Sequence, residues 1–83
     1  MVKLILKGQT DHVAGLDIGT IINGTQFVDS GEAFNATVNA GGLQEVTHGA
    51  GAVGTTINAD GMQQIESGGV AYWTTINTGG LQG

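Results

Sequence analysis

The tripeptides Thr37-Val38-Asn39, Thr56-Ile57-Asn58 and Thr75-Ile76-Asn77 recur at a fixed spacing of 19 residues. A chain with such a period builds its fold from copies of one short unit. The same shift carries Ala14 to Ala33, Ala52 and Ala71, Gln44 to Gln63 and Gln82, and Val46 to Ile65. One copy is a residue short, because Gln26 and Val28 precede Gln44 and Val46 by 18. That deletion falls at Gly31-Glu32-Ala33, against Gly49-Ala50-Gly51-Ala52 and Gly68-Gly69-Val70-Ala71, so it shortens a turn and spares the strands. The chain divides into residues 1–23, an N-terminal cap with a degenerate first rung, and residues 24–83, three 18–19-residue repeats and the start of a fourth. At 83 residues it holds one domain.

Each copy reads strand, turn, strand, turn: Gln44-x-Val46, Gly49 to Ala52, Thr55-x-Ile57, then Asp60-Gly61. Two strands this short make a marginal hairpin and cannot bury their own apolar face. Stacking equivalent copies about 4.8 Å apart pairs each strand with its equivalents in parallel and closes a shared core. The expected fold is all-β, a single-stranded parallel β-helix of about four rungs of about 19 residues. Sixteen glycines in 83 residues then serve the corners. Alternation turns Val28, Val46 and Ile65 inward, and likewise Val38, Ile57 and Ile76, with Ala36, Thr55 and Thr74 on the same side. The column of Gln26, Gln44, Gln63 and Gln82 shares that parity, and stacked amides there can bond to one another along the axis. Thr37, Thr56 and Thr75 face out, with Asn39, Asn58 and Asn77, as an exposed ladder.

The chemistry open to the chain is narrow. Without cysteine there is no disulfide or thiolate metal site, and seven acids against two lysines, net charge -5, leave no footprint for nucleic acid or anionic lipid. The apolar run Val2 to Leu6, broken by Lys3, is too short for a signal-peptide core or a membrane span, so neither membrane insertion nor a signal peptide is expected of this chain. His12 and His48 lie in different elements, and no calcium-binding nonapeptide occurs, so no metal and no cofactor are expected. Asp29, Glu45, Asp60 and Glu66 fall in different columns or turns, which argues against a catalytic carboxylate pair and against an enzyme.

The strings GGLQEVTHGAGAVGTTINADG and GMQQIESGGVAYWTTINTGG resemble the 19-residue passenger repeat of the AIDA-type autotransporter adhesins, roughly GGxQxVxxGGxAxxTxVxxGG. Residues 24–83 carry the match. The resemblance implies a right-handed parallel β-helix on a Gram-negative cell surface, with roles in adhesion, autoaggregation and biofilm. It also implies modification by a protein O-heptosyltransferase. The chain as written has neither the family's signal peptide nor its translocator barrel, so what is implied is part of a larger exported protein or a stand-alone relative.

Ser30 and Ser67 share a column just before the turn glycines Gly31 and Gly68, with His48 in the middle copy and Thr47 beside it. They read either as turn-forming residues or, given the resemblance, as glycosylation acceptors, Thr47 being the weaker. Tyr72 and Trp73 are adjacent aromatics at a turn or strand start, candidates for contact with a sugar, a host or bacterial surface, or a neighbouring copy. Both lysines lie near the N-terminus, where an edge-strand lysine discourages pairing. At the other end the strands around Gln63 to Ile65 and Thr75 to Asn77 should be left open, which predicts self-association through the solenoid ends. The functional expectation is a structural and adhesive solenoid module. A self-assembling filament subunit is the alternative, and an ice-binding threonine array ranks last because its second outward column is asparagine.

Overall fold

The structure is a computed structural model that describes residues 3–83. Four full coils and part of a fifth are stacked along one axis. The first comprises β1 (Leu4–Ile5), β2 (Thr10–Val13) and β3 (Leu16–Ile18), and the second β4 (Ile21–Ile22), β5 (Thr25–Val28) and β6 (Glu32–Phe34). The third comprises β7 (Thr37–Val38), β8 (Leu43–Val46) and β9 (Gly51–Val53), and the fourth β10 (Thr56–Ile57), β11 (Met62–Ile65) and β12 (Val70–Tyr72). The fifth adds β13 (Thr75–Ile76) and β14 (Leu81–Gln82). Strands of like position pair in parallel into three sheets: β1-β4-β7-β10-β13, β2-β5-β8-β11-β14 and β3-β6-β9-β12.

The expected β-solenoid is therefore the fold, with three strands per coil where the sequence suggested two. The third, typified by Gly51-Ala52-Val53, was hidden because its glycine and alanine read as part of a turn. Small residues suit that strand: Ala33 and Ala52 are fully buried. The register holds at 19 from Thr37↔Thr56 onward and at 18 from Gln26↔Gln44, as the repeat requires. The first coil departs from it. Ala33 stacks on Asp17, not on Ala14, so the alanine column does not extend to the first coil.

The alternation of buried and half-exposed positions in β5 and β8 fixes which side chains form the core. Ile5, Ile22, Val38 and Ile57 stack as one buried column, and Val13, Val28 and Val46 as another, with Ile65 packed against the latter. Burying each such side chain contributes about 1.5–3 kcal/mol, so the column, not any single coil, carries the stability. Corners are equally constrained. At Gly42 a Cβ would lie 2.3 Å from the carbonyl oxygen of Ile22, so the coils approach too closely there for any side chain.

Candidate functional site

Two ladders of side-chain amides run along the axis. In the buried one, Gln82 Nε2 donates to Gln63 Oε1 (2.6 Å), Gln63 to Gln44 (2.7 Å) and Gln44 to Gln26 (3.0 Å). Gln26, Gln44 and Gln63 are fully buried. The Thr55 hydroxyl adds a 3.3 Å bond to Gln44 Oε1, and Thr74 a 3.5 Å bond to Gln63 Oε1. A solitary buried amide would be costly, whereas here each has its partner.

The second ladder is the asparagine column. Asn77 donates to Asn58 (2.8 Å), Asn58 to Asn39 (2.8 Å) and Asn39 to Asn23 (3.0 Å). Asn23 was not recognised from the sequence, because only 16 residues separate it from Asn39. Expected as fully exposed, the column is half-buried at Asn39 and Asn58 and exposed only at Asn77, because each amide is shielded by its stacked neighbours. Likewise Thr37 and Thr56 are half-buried on the outer face, and Thr75 at the end of the column is exposed.

At the N-terminal end the glutamine ladder meets charge. Gln26 Nε2 donates to Asp17 Oδ2 at 2.9 Å and, more distantly, to Asp11 Oδ2 at 3.4 Å. Thr20, fully buried, donates to Asp17 Oδ2 at 2.5 Å. Lys3 Nζ lies 2.8 Å from both Asp11 Oδ2 and Asp17 Oδ1. Burial alone would push the Asp17 carboxyl up, but hydrogen bonds from Lys3, Thr20 and Gln26, with the charge of Lys3, hold it below the usual carboxylate range. Burial works against the Lys3 ammonium, yet its two carboxylate partners raise it above the ordinary lysine range. Lys3, expected to guard an edge strand, is instead turned onto the end of the ladder. Sequence reading missed this cluster because Asp11, Asp17 and Lys3 stand where later coils have Gln, Ala and Ala or Thr. An open hollow of about 380 Å³ beside it is lined by Lys3, Leu4, Ile5, Gln9, Thr10 and Asp11.

The proposed acceptor hydroxyls lie on a corner. Ser30 and Ser67 are exposed and Thr47 is half-buried. The turns Thr47 to Ala50 and Glu66 to Gly69 are each closed by a 2.9 Å bond from the fourth residue's N–H to the first carbonyl. Gly49 and Gly68 are left-handed in them, which places Ser67 at the outward first central position. Thr78, exposed in the turn Asn77 to Gly80 ahead of left-handed Gly79, has the same local geometry on another corner. It escaped notice because the earlier copies carry Ala40 and Ala59 there. Ser30 sits in the shortened corner, with Oγ 3.5 Å from the Ala14 carbonyl.

Tyr72 ends β12 and Trp73 forms the next corner, and both are exposed, Trp73 at 83%. His12 pairs with Asp29 at 2.7 Å and stacks on Phe27 with ring centroids 5.2 Å apart, while His48 lies at a separate corner. Among the described residues no three His, Asp or Glu side chains converge as a metal site. The expected outward stripe of Thr25, Leu43, Met62 and Leu81 is in register, half-buried until Leu81 at its end.

A solved structure shares this fold. It is the crystal structure of a TibC-catalysed, hyper-glycosylated TibA fragment, with a TM-score of 0.55 and 24% sequence identity. The match covers 98% of this chain and 45% of that one, so the chain spans less than half the length of the fragment it resembles. No family model and no curated protein matches the sequence.

Proposed function

We propose that this chain is a structural and adhesive module of a bacterial surface passenger, a β-solenoid whose corner hydroxyls are acceptors for a protein O-heptosyltransferase. The observation that carries the reading is the placement of Ser67 at the outward position of a glycine-closed turn, within a fold shared with a TibC-glycosylated protein. Ser30 is the second acceptor, Thr47 the weaker third because it is half-buried, and Thr78 joins them on turn geometry. The AIDA-type repeat resemblance supports an extracellular location as part of a larger exported protein, with a host or bacterial surface as partner. No catalytic role is assigned: Asp11 and Asp17, which share Lys3, accept bonds from Lys3, Gln26 and Thr20.

The filament reading has less support, because no specific observation favours it. Co-expression with a TibC-type heptosyltransferase followed by peptide mass mapping tests the acceptor assignment. Sugar on Ser67, Ser30 or Thr78 is the expected result. An unmodified chain, or sugar confined to Thr37, Thr56 and Thr75, overturns it.

A further inference from the structure

The corner that follows the third strand of each coil is formed by Gly19, Asn35, Gly54 and Trp73, stacked one above another. The Gly19 N–H donates to the Phe34 carbonyl, Asn35 to Val53 and Gly54 to Tyr72, at 2.8, 2.8 and 2.9 Å. All four residues are left-handed. Glycine suits that conformation and asparagine tolerates it, but a tryptophan there is a backbone outlier. Burial does not explain it, because Trp73 is 83% exposed and Tyr72 before it 58%. A strained residue that packing does not require points to contact with a ligand.

The surroundings of Trp73 on the side of the earlier coils define that ligand. Directly below it Gly54 carries no side chain. Below Gly54, the exposed Asn35 turns its amide upward, with Oδ1 2.7 Å from where a Cβ on Gly54 would stand. The amides of Asn39, Asn58 and Asn77 are engaged in their ladder, whereas that of Asn35 makes no hydrogen bond among the described residues. Two coil spacings, about 9.6 Å, separate Asn35 from Trp73, so the corner holds a notch free of side chains between an indole and an unengaged amide. This corner faces solvent even between coils, since Asn35 is exposed with a coil on either side. Neither the corner nor the adjoining outward column of Ile18, Phe34, Val53 and Tyr72 carries a charge. The one outward acid of that sheet, Glu32, begins β6 at the strand end away from the corner. A cation resting on the indole would therefore have no carboxylate beside it, and the notch suits a neutral ligand with one apolar face and several hydroxyls.

We propose that the notch between Trp73 and Asn35 is a carbohydrate subsite. The C–H face of a pyranose stacks on the indole, about 4 Å away, and its hydroxyls exchange hydrogen bonds with the Asn35 amide, which offers both donor and acceptor. Gly54 is the residue that keeps the space open. The proposal names a ligand class for the adhesive reading and rests on that reading only for the source of the sugar, a host glycan or a heptose on a neighbouring copy.

The test titrates the isotopically labelled 83-residue chain with methyl β-D-glucopyranoside and, separately, with a methyl heptopyranoside. NMR follows the single indole N–H and the backbone amides of Asn35 and Gly54. One stacked ring and two hydrogen bonds should give saturable shifts at these signals with a Kd of about 1–10 mM. Saturation by either pyranoside supports the subsite, and a preference between them distinguishes the two sources. Sorbitol, which has hydroxyls but no ring face, and tetramethylammonium, which has charge but no hydroxyls, should give no saturable shift. Saturation by tetramethylammonium alone overturns the carbohydrate class, and no saturation by either pyranoside overturns the site. Trp73→Gly, read at Gly54, should abolish binding in a variant that melts no lower than the parent, so that unfolding does not account for the loss. Asn35→Gly keeps the backbone conformation and, read at the indole, should weaken binding about fivefold. Unchanged affinity in Trp73→Gly overturns the proposal. Failure here leaves the acceptor assignment standing, because that is tested by mass mapping and needs no sugar bound at this corner.

Discussion

Gln26 Nε2 donates to Asp17 Oδ2 at 2.9 Å, and that bond orients the amides stacked above it. A carboxylate only accepts, so Gln26 turns its NH2 toward Asp17 and its oxygen away. Gln44, Gln63 and Gln82 then have one consistent orientation each. The carboxylates at the base, Asp17 foremost, give the solenoid a hydrogen-bond polarity that its apolar columns lack.

Interrupting the buried ladder should therefore cost more than interrupting the corner one. Gln44→Leu leaves Gln26 Oε1 without a donor, and Gln63 Nε2 and Thr55 Oγ1 without an acceptor. Each stranded buried group costs about 1–3 kcal/mol, so a total loss of about 3 kcal/mol or more is expected. Asn58→Ala, in a half-buried column that water can reach, should cost about 1 kcal/mol. Urea unfolding compares them, and equal midpoints would mean that water replaces the buried bonds.

The ladder's ionic end predicts a pH dependence. Because the folded Asp17 carboxyl lies below its unfolded value, its contribution is present above about pH 4 and is lost as pH falls through the folded value. The raised Lys3 contributes fully below its unfolded value of about 10.4 and loses that contribution as pH climbs through its folded value. Lys3→Met should lower the melting temperature across this window. Its deficit relative to the parent should narrow as Asp17 is protonated. A deficit that stays constant down to pH 2 would show that the Lys3 to Asp17 pair has no part in it.

This end was also the least legible in the sequence. From Thr37 onward each coil repeats at 19 residues, and self-alignment finds the register directly. In the first coil the offset is 17 at Leu4↔Ile21, 15 at Thr10↔Thr25 and 16 at Leu16↔Glu32, so no single shift aligns it. The corners vary in length while the strands do not: Asn23-Gly24 does the work of Asn39-Ala40-Gly41-Gly42. Inward positions there also carry Lys3, Asp11 and Asp17, which satisfy one another in space but read as surface residues in sequence. The direction of the amides was hidden for the same reason, since it depends on how the column ends.

Inward and outward positions should respond differently to the same charge. Ile57 is fully buried between Val38 and Ile76, and Ile57→Asp places a carboxylate where no cation can reach it. It should prevent folding, removing the strand signature in circular dichroism. Thr56→Asp, one residue away on the outer face, should fold with a melting temperature within a few degrees of the parent, as surface changes usually do. Matching behaviour of the two variants would contradict the observed alternation.

The corner after the third strand of each coil gives the last prediction. Gly19, Asn35, Gly54 and Trp73 stack there, and all four are left-handed, with φ of 73°, 57°, 72° and 54°. Glycine holds this conformation without cost, asparagine tolerates it, and a bulky residue loses about 1–2 kcal/mol. Trp73 recovers little by burial, being 83% exposed. Trp73→Gly removes the strain but adds about 0.5–1 kcal/mol of chain entropy to the unfolded state, leaving a net gain of about 0.5–1 kcal/mol. Trp73→Asn should gain a similar amount. Gly54→Ala should destabilise, because its Cβ would meet Asn35 Oδ1 at 2.7 Å in addition to the backbone strain. Shortening the obstacle with Asn35→Ala should remove only the steric part of that loss, and melting temperatures of the single and double variants separate the two contributions. A fall of several degrees for Trp73→Gly would instead mean that the indole makes a stabilising contact in solution that outweighs its backbone strain.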